Sequence, residues 1–132
     1  MRDQEPVILI VDDDKIARET LAFLLNVLHV RVEYAETGMQ GINKAYEIQP
    51  DIIILDVLLP DVMGYEVCKT LREEVLQADV PIIMITALDN RNDRIIGLVA
   101  GANDFFSKPF DSLEVQVKIR NLIRLKRYRH LE

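Results

Sequence analysis

Along this chain, short unbroken runs of β-branched and leucine residues alternate with longer segments whose apolar positions recur every three or four residues. Val7–Val11, Ile52–Leu55 and Ile82–Ile85 are near-continuous apolar runs, as parallel strands covered on both faces require. Val30–Ala35 alternates instead, with Arg31 and Glu33 between Val30, Val32 and Tyr34, while Asp104–Ser107 is short and aromatic. These two read as strands nearer an edge. Between the strands, helical periodicity covers Ile16–Leu28, Met39–Ile48, Tyr65–Leu76, Arg91–Ala100 and Ser112–Arg129. In the first helix Ala17, Leu21, Leu24, Leu25 and Leu28 fall on one face. Thr37-Gly38, Pro60-Asp61 and Gly101-Ala102-Asn103 supply the breaks. The class is α/β, written (βα)5. Right-handed crossovers leave an open, doubly wound parallel sheet as the simplest arrangement.

Composition narrows the function classes. At 132 residues and 49% hydrophobic content, the chain suits one domain whose core needs no metal or disulfide staple. The single cysteine, Cys68, excludes a disulfide framework and reads as a small core residue in a cytoplasmic protein. No apolar run reaches membrane-spanning length and Met1–Pro6 is polar, so neither export nor insertion is expected. A net charge of −6 disfavours a nucleic-acid surface. That charge is uneven: residues 1–110 carry 19 acids and 10 bases, whereas residues 111–132 carry 3 acids and 6 bases.

The chemistry is concentrated where the strands end. In an open parallel sheet, ligands sit beyond the carboxyl ends of the strands. Asp12, Asp13 and Asp14 follow the first run, Asp56 follows the third, Thr86 the fourth, and Lys108 the fifth. Clustered carboxylates repel one another unless a cation compensates, and a hard divalent ion with oxygen ligands is the natural one. Asp12, Asp13 and Asp56 fit that role. A carboxylate can also act as a nucleophile and form an aspartyl phosphate, with Lys108 and the metal neutralising the moving phosphoryl group and Thr86 bonding one of its oxygens.

The segments Ile8-Leu9-Ile10-Val11-Asp12-Asp13, Ile54-Leu55-Asp56-Val57-Leu58-Leu59-Pro60 with Gly64, Pro81-Ile82-Ile83-Met84-Ile85-Thr86-Ala87, Ala100-Gly101-Ala102 and Lys108-Pro109-Phe110 together closely resemble the receiver domain of two-component response regulators. Five motifs in order make the match specific. The resemblance implies a flavodoxin-like fold with strand order 2-1-3-4-5. It also implies a domain over residues 6–125, flanked by a tail at 1–5 and a basic extension of the last helix at 126–132 that reads on toward an output domain. By the same resemblance Asp56 is the phosphoacceptor. Asp13 is a direct Mg²⁺ ligand, Asp12 an outer one acting mainly through water, and the backbone carbonyl of Leu58 completes the protein ligands, with Mn²⁺ a plausible substitute. Lys108 pairs with the phosphoryl group and precedes a cis bond to Pro109. Thr86 and Phe105 form the switch pair. The donor is the phosphohistidine of a sensor histidine kinase or phosphotransfer protein. The face from 91–100, 104–107 and 112–125 is the expected output surface and a weak homodimer contact.

Some positions depart from the family pattern. Met63 stands where an Asp often precedes the Gly, and Leu58 and Leu88 are apolar at positions that influence phosphate loss, so a long-lived phosphorylated state is expected. The implied protein is a switch rather than an enzyme, although it assists its own phosphorylation and dephosphorylation. One rival is a Mg²⁺-dependent phosphatase of the haloacid dehalogenase type, but Leu58 holds the place of its second acid. The other is a degenerate receiver that only binds partners, yet every acid, the Thr and the Lys are present. Simpler roles remain for other residues: Asp14 as a helix cap, and His29 and His130 as solvated side chains. Gly38 and Gly41 do not form a phosphate loop. The cations late in the last helix suit its macrodipole, and Leu131-Glu132 carries no functional meaning.

Overall fold

The apolar runs form five parallel strands in the order β2-β1-β3-β4-β5, the flavodoxin-like arrangement. The computed structural model describes residues 5–87 and 91–131, with the backbone alone from residue 127 onward. The strands are β1 (Val7–Val11), β2 (Arg31–Ala35), β3 (Ile52–Asp56), β4 (Ile82–Thr86) and β5 (Asp104–Ser107). The α-helices are α1 (Lys15–Leu25), α2 (Gly38–Ile48), α3 (Gly64–Thr70), α4 (Arg91–Ala100) and α5 (Ser112–Leu131). The three unbroken apolar strands occupy the centre, and the two alternating or aromatic ones lie at the edges.

Two helical segments change winding before they end. After Leu25, α1 tightens into a 3-10 turn over Asn26–Leu28 and stops at His29, whose φ of 56° is left-handed. After Thr70, the chain widens into a π-turn over Leu71–Val75, closed by the Leu76 N–H on the Leu71 carbonyl at 2.8 Å. Periodicity alone reads through both changes, because one tight or wide turn barely moves the apolar stripe.

Strand residues alternate between two cores, as their period of two requires. Ile8, Ile10, Ile52, Ile54, Ile83, Ile85 and Phe106 pack against Leu21, Leu24 and Leu25 of α1 and Val115, Ile119 and Ile123 of α5. Leu9, Val11, Ile53, Leu55, Met84 and Phe105 face the opposite layer, with Ala45 of α2 and Val67 and Cys68 of α3. Burying one such Ile or Leu side chain contributes about 1.5–3 kcal/mol. This two-faced burial holds the strand ends in register: Val11 lies opposite Leu55, Asp56 opposite Ile85, and Thr86 opposite Ser107. No helix among the described residues is long and apolar enough to cross a membrane.

Candidate functional site

The register delivers Asp12, Asp56, Thr86 and Lys108 to one rim. Asp12 follows β1 directly and Lys108 follows β5. Asp56 and Thr86 are themselves the last residues of β3 and β4, one step later than the apolar runs end. Polar side chains can close a strand because the backbone ladder is indifferent to them. The Val57 N–H still donates to the Ile85 carbonyl at 3.2 Å, and the Lys108 N–H donates to the Thr86 carbonyl at 3.1 Å. The loop after β3 then folds back tightly. The Gly64 N–H reaches the Val57 carbonyl at 2.7 Å, and a Cβ on Gly64 would stand 2.2 Å from the Asp56 carbonyl oxygen. Only glycine permits that approach.

Within the rim, Asp12 has no exposed surface and Asp56 only 5%. Both carboxylates face one ammonium: Lys108 Nζ lies 2.9 Å from Asp12 Oδ2 and 3.1 Å from Asp56 Oδ2. The other oxygens accept backbone donors, Asp12 Oδ1 from the Asp14 N–H at 2.9 Å and Asp56 Oδ1 from the Leu58 N–H at 3.2 Å. Burial pushes the Asp56 carboxyl up to about 6, and the neighbouring Asp12 charge adds to this against the opposing pull of Lys108. For Lys108, burial is the largest single influence and acts downward, but the two carboxylates together outweigh it and hold the ammonium above its usual value.

Exposed Asp13 joins the pair: Asp12, Asp13 and Asp56 each offer a carboxylate oxygen, all within 4.8 Å of one another. Asp12 Oδ2 is buried and, among the described residues, no donor meets it at hydrogen-bonding angles, so the ion pair with Lys108 is the compensation it has there. Three carboxylates against one ammonium leave an excess of negative charge in a partly dry pocket. That donor set, all hard oxygen, fits a small divalent cation. The Leu58 main chain borders the pocket and bridges to Met63 across the loop; both side chains are about half exposed.

Thr86 is 2% exposed and shares a sheet face with Phe105, whose register partner is Met84. The Phe105 ring is buried over Gly97 of α4, where an added Cβ would lie 2.6 Å from its Cζ, and Arg94 stands 5.3 Å from the ring centroid. Leu88 lies outside the described residues, as does the side chain of His130. The Lys108–Pro109 bond is cis. Asp14 caps α1, accepting from the Ile16 N–H at 3.0 Å. His29 is exposed, and Cys68 is fully buried with its thiol pushed up to about 11, chiefly by burial.

Two residues near the rim escape sequence reasoning. Arg18 donates to the Asp12 carbonyl at 2.8 Å and pairs with Glu36 at 3.2 Å. Asp61 accepts from the Gly38 and Met39 N–H groups at 2.8 and 3.0 Å, capping α2 from the loop after β3. No local pattern marks a partner 22 or 23 positions away.

The model of the response regulator receiver domain matches residues 8–120. The chain belongs to that family. It is 40% identical over 119 residues to the DNA-binding dual master transcriptional regulator RpaA of Synechocystis, covering 90% of this chain and 49% of that protein. It is 39% identical over 119 residues to response regulator PleD of Caulobacter vibrioides, covering 90% of this chain and 26% of that one. A crystal structure of a putative response regulator from Chloroflexus aurantiacus aligns with a TM-score of 0.85 and 36% identity, over 92% of this chain and 99% of that one. The chain thus spans about half or less of the two curated relatives. Receiver domains are phosphoacceptor switches of two-component systems, act with histidine kinases or phosphotransfer proteins, and belong to a magnesium-binding family.

Proposed function

We propose that Asp56 is the phosphoacceptor and takes a phosphoryl group from the phosphohistidine of a sensor histidine kinase or phosphotransfer protein. One observation carries this reading: Asp56 is buried against Asp12 with one ammonium facing both. In the transfer an Asp56 carboxylate oxygen bonds to phosphorus as the P–N bond to the donor imidazole breaks and that nitrogen keeps the bonding pair. Asp56 acts as the carboxylate, the predominant form at neutral pH for a group titrating near 6. Lys108 holds the carboxylates in place and offers its charge to the incoming phosphoryl oxygens. Asp12, Asp13, Asp56 and the Leu58 carbonyl would hold Mg²⁺, with Mn²⁺ as a substitute, which when bound supplies the positive charge that three acids and a phosphoryl group need.

Phosphorylation adds close to two negative charges. Thr86 then turns its hydroxyl toward the phosphoryl group, and Phe105 follows into the space it leaves. The change reaches the face formed by 91–100, 104–107 and 112–125, where Ile95, Leu98 and Leu113 are exposed. That face is the output surface and a weak homodimer contact. The receiver unit is taken as residues 6–125, with 126–132 leading toward a tethered output domain, a reading supported by the greater length of the relatives. A cytoplasmic setting suits the lone buried thiol. Apolar Leu58 and Leu88 leave attacking water without a polar guide, so the phosphorylated state is long-lived.

Intact mass after incubation with acetyl phosphate and Mg²⁺ tests the proposal. A stoichiometric adduct that is missing in Asp56→Asn supports the switch. Steady turnover of acetyl phosphate without an adduct would make the protein a phosphatase, and no reaction would make it an inert binding module.

A further inference from the structure

We propose that Arg18 is a positioning residue for the acidic pocket, acting through the main chain of Asp12; the inference rests on reading that pocket as the metal-dependent phosphoacceptor site. Arg18 sits on α1, a surface helix, yet its side chain is only 13% exposed. Its Nη1 donates to the Asp12 carbonyl at 2.8 Å, and Nη2 meets Glu36 Oε1 at 3.2 Å. Asp12 lies one residue past β1, where the regular ladder stops. Three bonds then determine how it sits: its N–H on the Ala35 carbonyl at 3.0 Å, its carbonyl under Arg18, and Oδ1 under the Asp14 N–H at 2.9 Å. What remains is Oδ2, which is thereby turned toward Lys108.

Removing Arg18 would leave a carbonyl of a fully buried residue without its charged donor, a loss that favours rotating the peptide toward water. Such a rotation swings Oδ2 out of line with Asp13 and Asp56. The effect on a cation has a definite sign. By charge alone, deleting a guanidinium near three carboxylates would tighten Mg²⁺ binding; by positioning, it weakens it. A merely structural tie between α1 and Glu36 would lower the melting temperature and leave Mg²⁺ affinity alone.

Melting temperature measured against Mg²⁺ concentration reports intrinsic stability and the dissociation constant together, without reference to activity. In the whole chain, Arg18→Ala is expected to weaken Mg²⁺ about tenfold, as loss of a residue that orients a ligand typically does. Arg18→Lys, which keeps the charge and a single donor, is expected to weaken it by a smaller factor than Arg18→Ala, and it carries the test if Arg18→Ala does not fold. In acetyl phosphate reactions, most of the effect falls on the Mg²⁺ concentration for half-maximal rate rather than on the saturating rate. Unchanged or tighter Mg²⁺ binding in the folded variants overturns the role of Arg18. If the parent chain itself takes up no Mg²⁺, the phosphoacceptor reading fails first and this inference goes with it.

Discussion

At the amino edge of the sheet the Arg72 guanidinium donates to the Gly101 and Val80 carbonyls at 2.9 and 2.6 Å and also reaches the Asn103 side chain. Asn103 Oδ1 in turn accepts the Ile82 N–H at 2.8 Å. Gly101, at a φ of 116°, makes room for it, since a Cβ there would stand 2.6 Å from Arg72 Cγ. Nearby, Asp51 takes the Val7 N–H on one oxygen and Lys126 on the other. The carboxyl edge is arranged differently. Two buried acids share one ammonium, a third acid stands beside them, and among the described residues Asp12 Oδ2 has no aligned donor. Both edges hold partly or wholly buried charge; the amino edge matches it with donors and acceptors, whereas among the described residues the carboxyl edge leaves Asp12 Oδ2 without an aligned donor and three acids against one ammonium. A satisfied network specifies structure, whereas an unsatisfied one holds interaction energy in reserve for something that binds.

The sharpest break of this contrast is Asp56→Asn. It should abolish the acetyl phosphate adduct in intact-mass spectra while raising the melting temperature in magnesium-free buffer, because it removes a charge that burial disfavours and relieves its repulsion with Asp12. Next in size, Arg72→Ala should cost about 2–3 kcal/mol in urea unfolding, since it strands the Gly101 and Val80 carbonyls. The folded fraction should still be phosphorylated; loss of phosphorylation by the folded protein would erase the distinction between the edges.

A smaller effect is expected from pH. The folded Asp56 carboxyl titrates near 6, above its ordinary value of 3.8, so the folded state holds that proton more tightly than the unfolded chain does. Its contribution to stability is full below about pH 4 and is lost as pH rises through about 6. In magnesium-free buffer, the stability of the parent relative to Asp56→Asn should therefore fall between those values, and saturating Mg²⁺ should remove the fall at neutral pH. A difference flat across pH 4 to 7 would mean that Asp56 is not strained by its surroundings. Least of all, Leu58→Asn should shorten the phosphoryl lifetime by less than about tenfold, by giving water a polar guide beside Asp56. An unchanged decay of the mass adduct would remove that role from Leu58.

Much of this site was legible before any fold was known, because each chemical group follows an apolar run directly in the chain. Asp12 after Val11, Asp56 after Leu55, Thr86 after Ile85 and Lys108 shortly after Phe106 can be read as strand ends without knowing which strands are neighbours. Arg18 and Asp61 were not legible. Their partners are the Asp12 carbonyl and the start of α2, and main-chain groups carry no sequence signal. Arg72 was hidden for the same reason: two of its acceptors are the Gly101 and Val80 carbonyls, 29 and 8 positions away.

The chain order of apolar and polar residues by itself determined the five strand-helix units, which strands lie inside, and which side chains stand at their ends. Those are consequences of local periodicity and of burial on two faces. Only the tertiary structure decided that Lys108 faces both Asp12 and Asp56, that Phe105 lies over Gly97, and that Asp12 Oδ2 meets, among the described residues, an ammonium but no donor at hydrogen-bonding angles. Such outcomes depend on distances between segments far apart in the chain, and those distances are set by packing of the whole sheet rather than by any one stretch of residues.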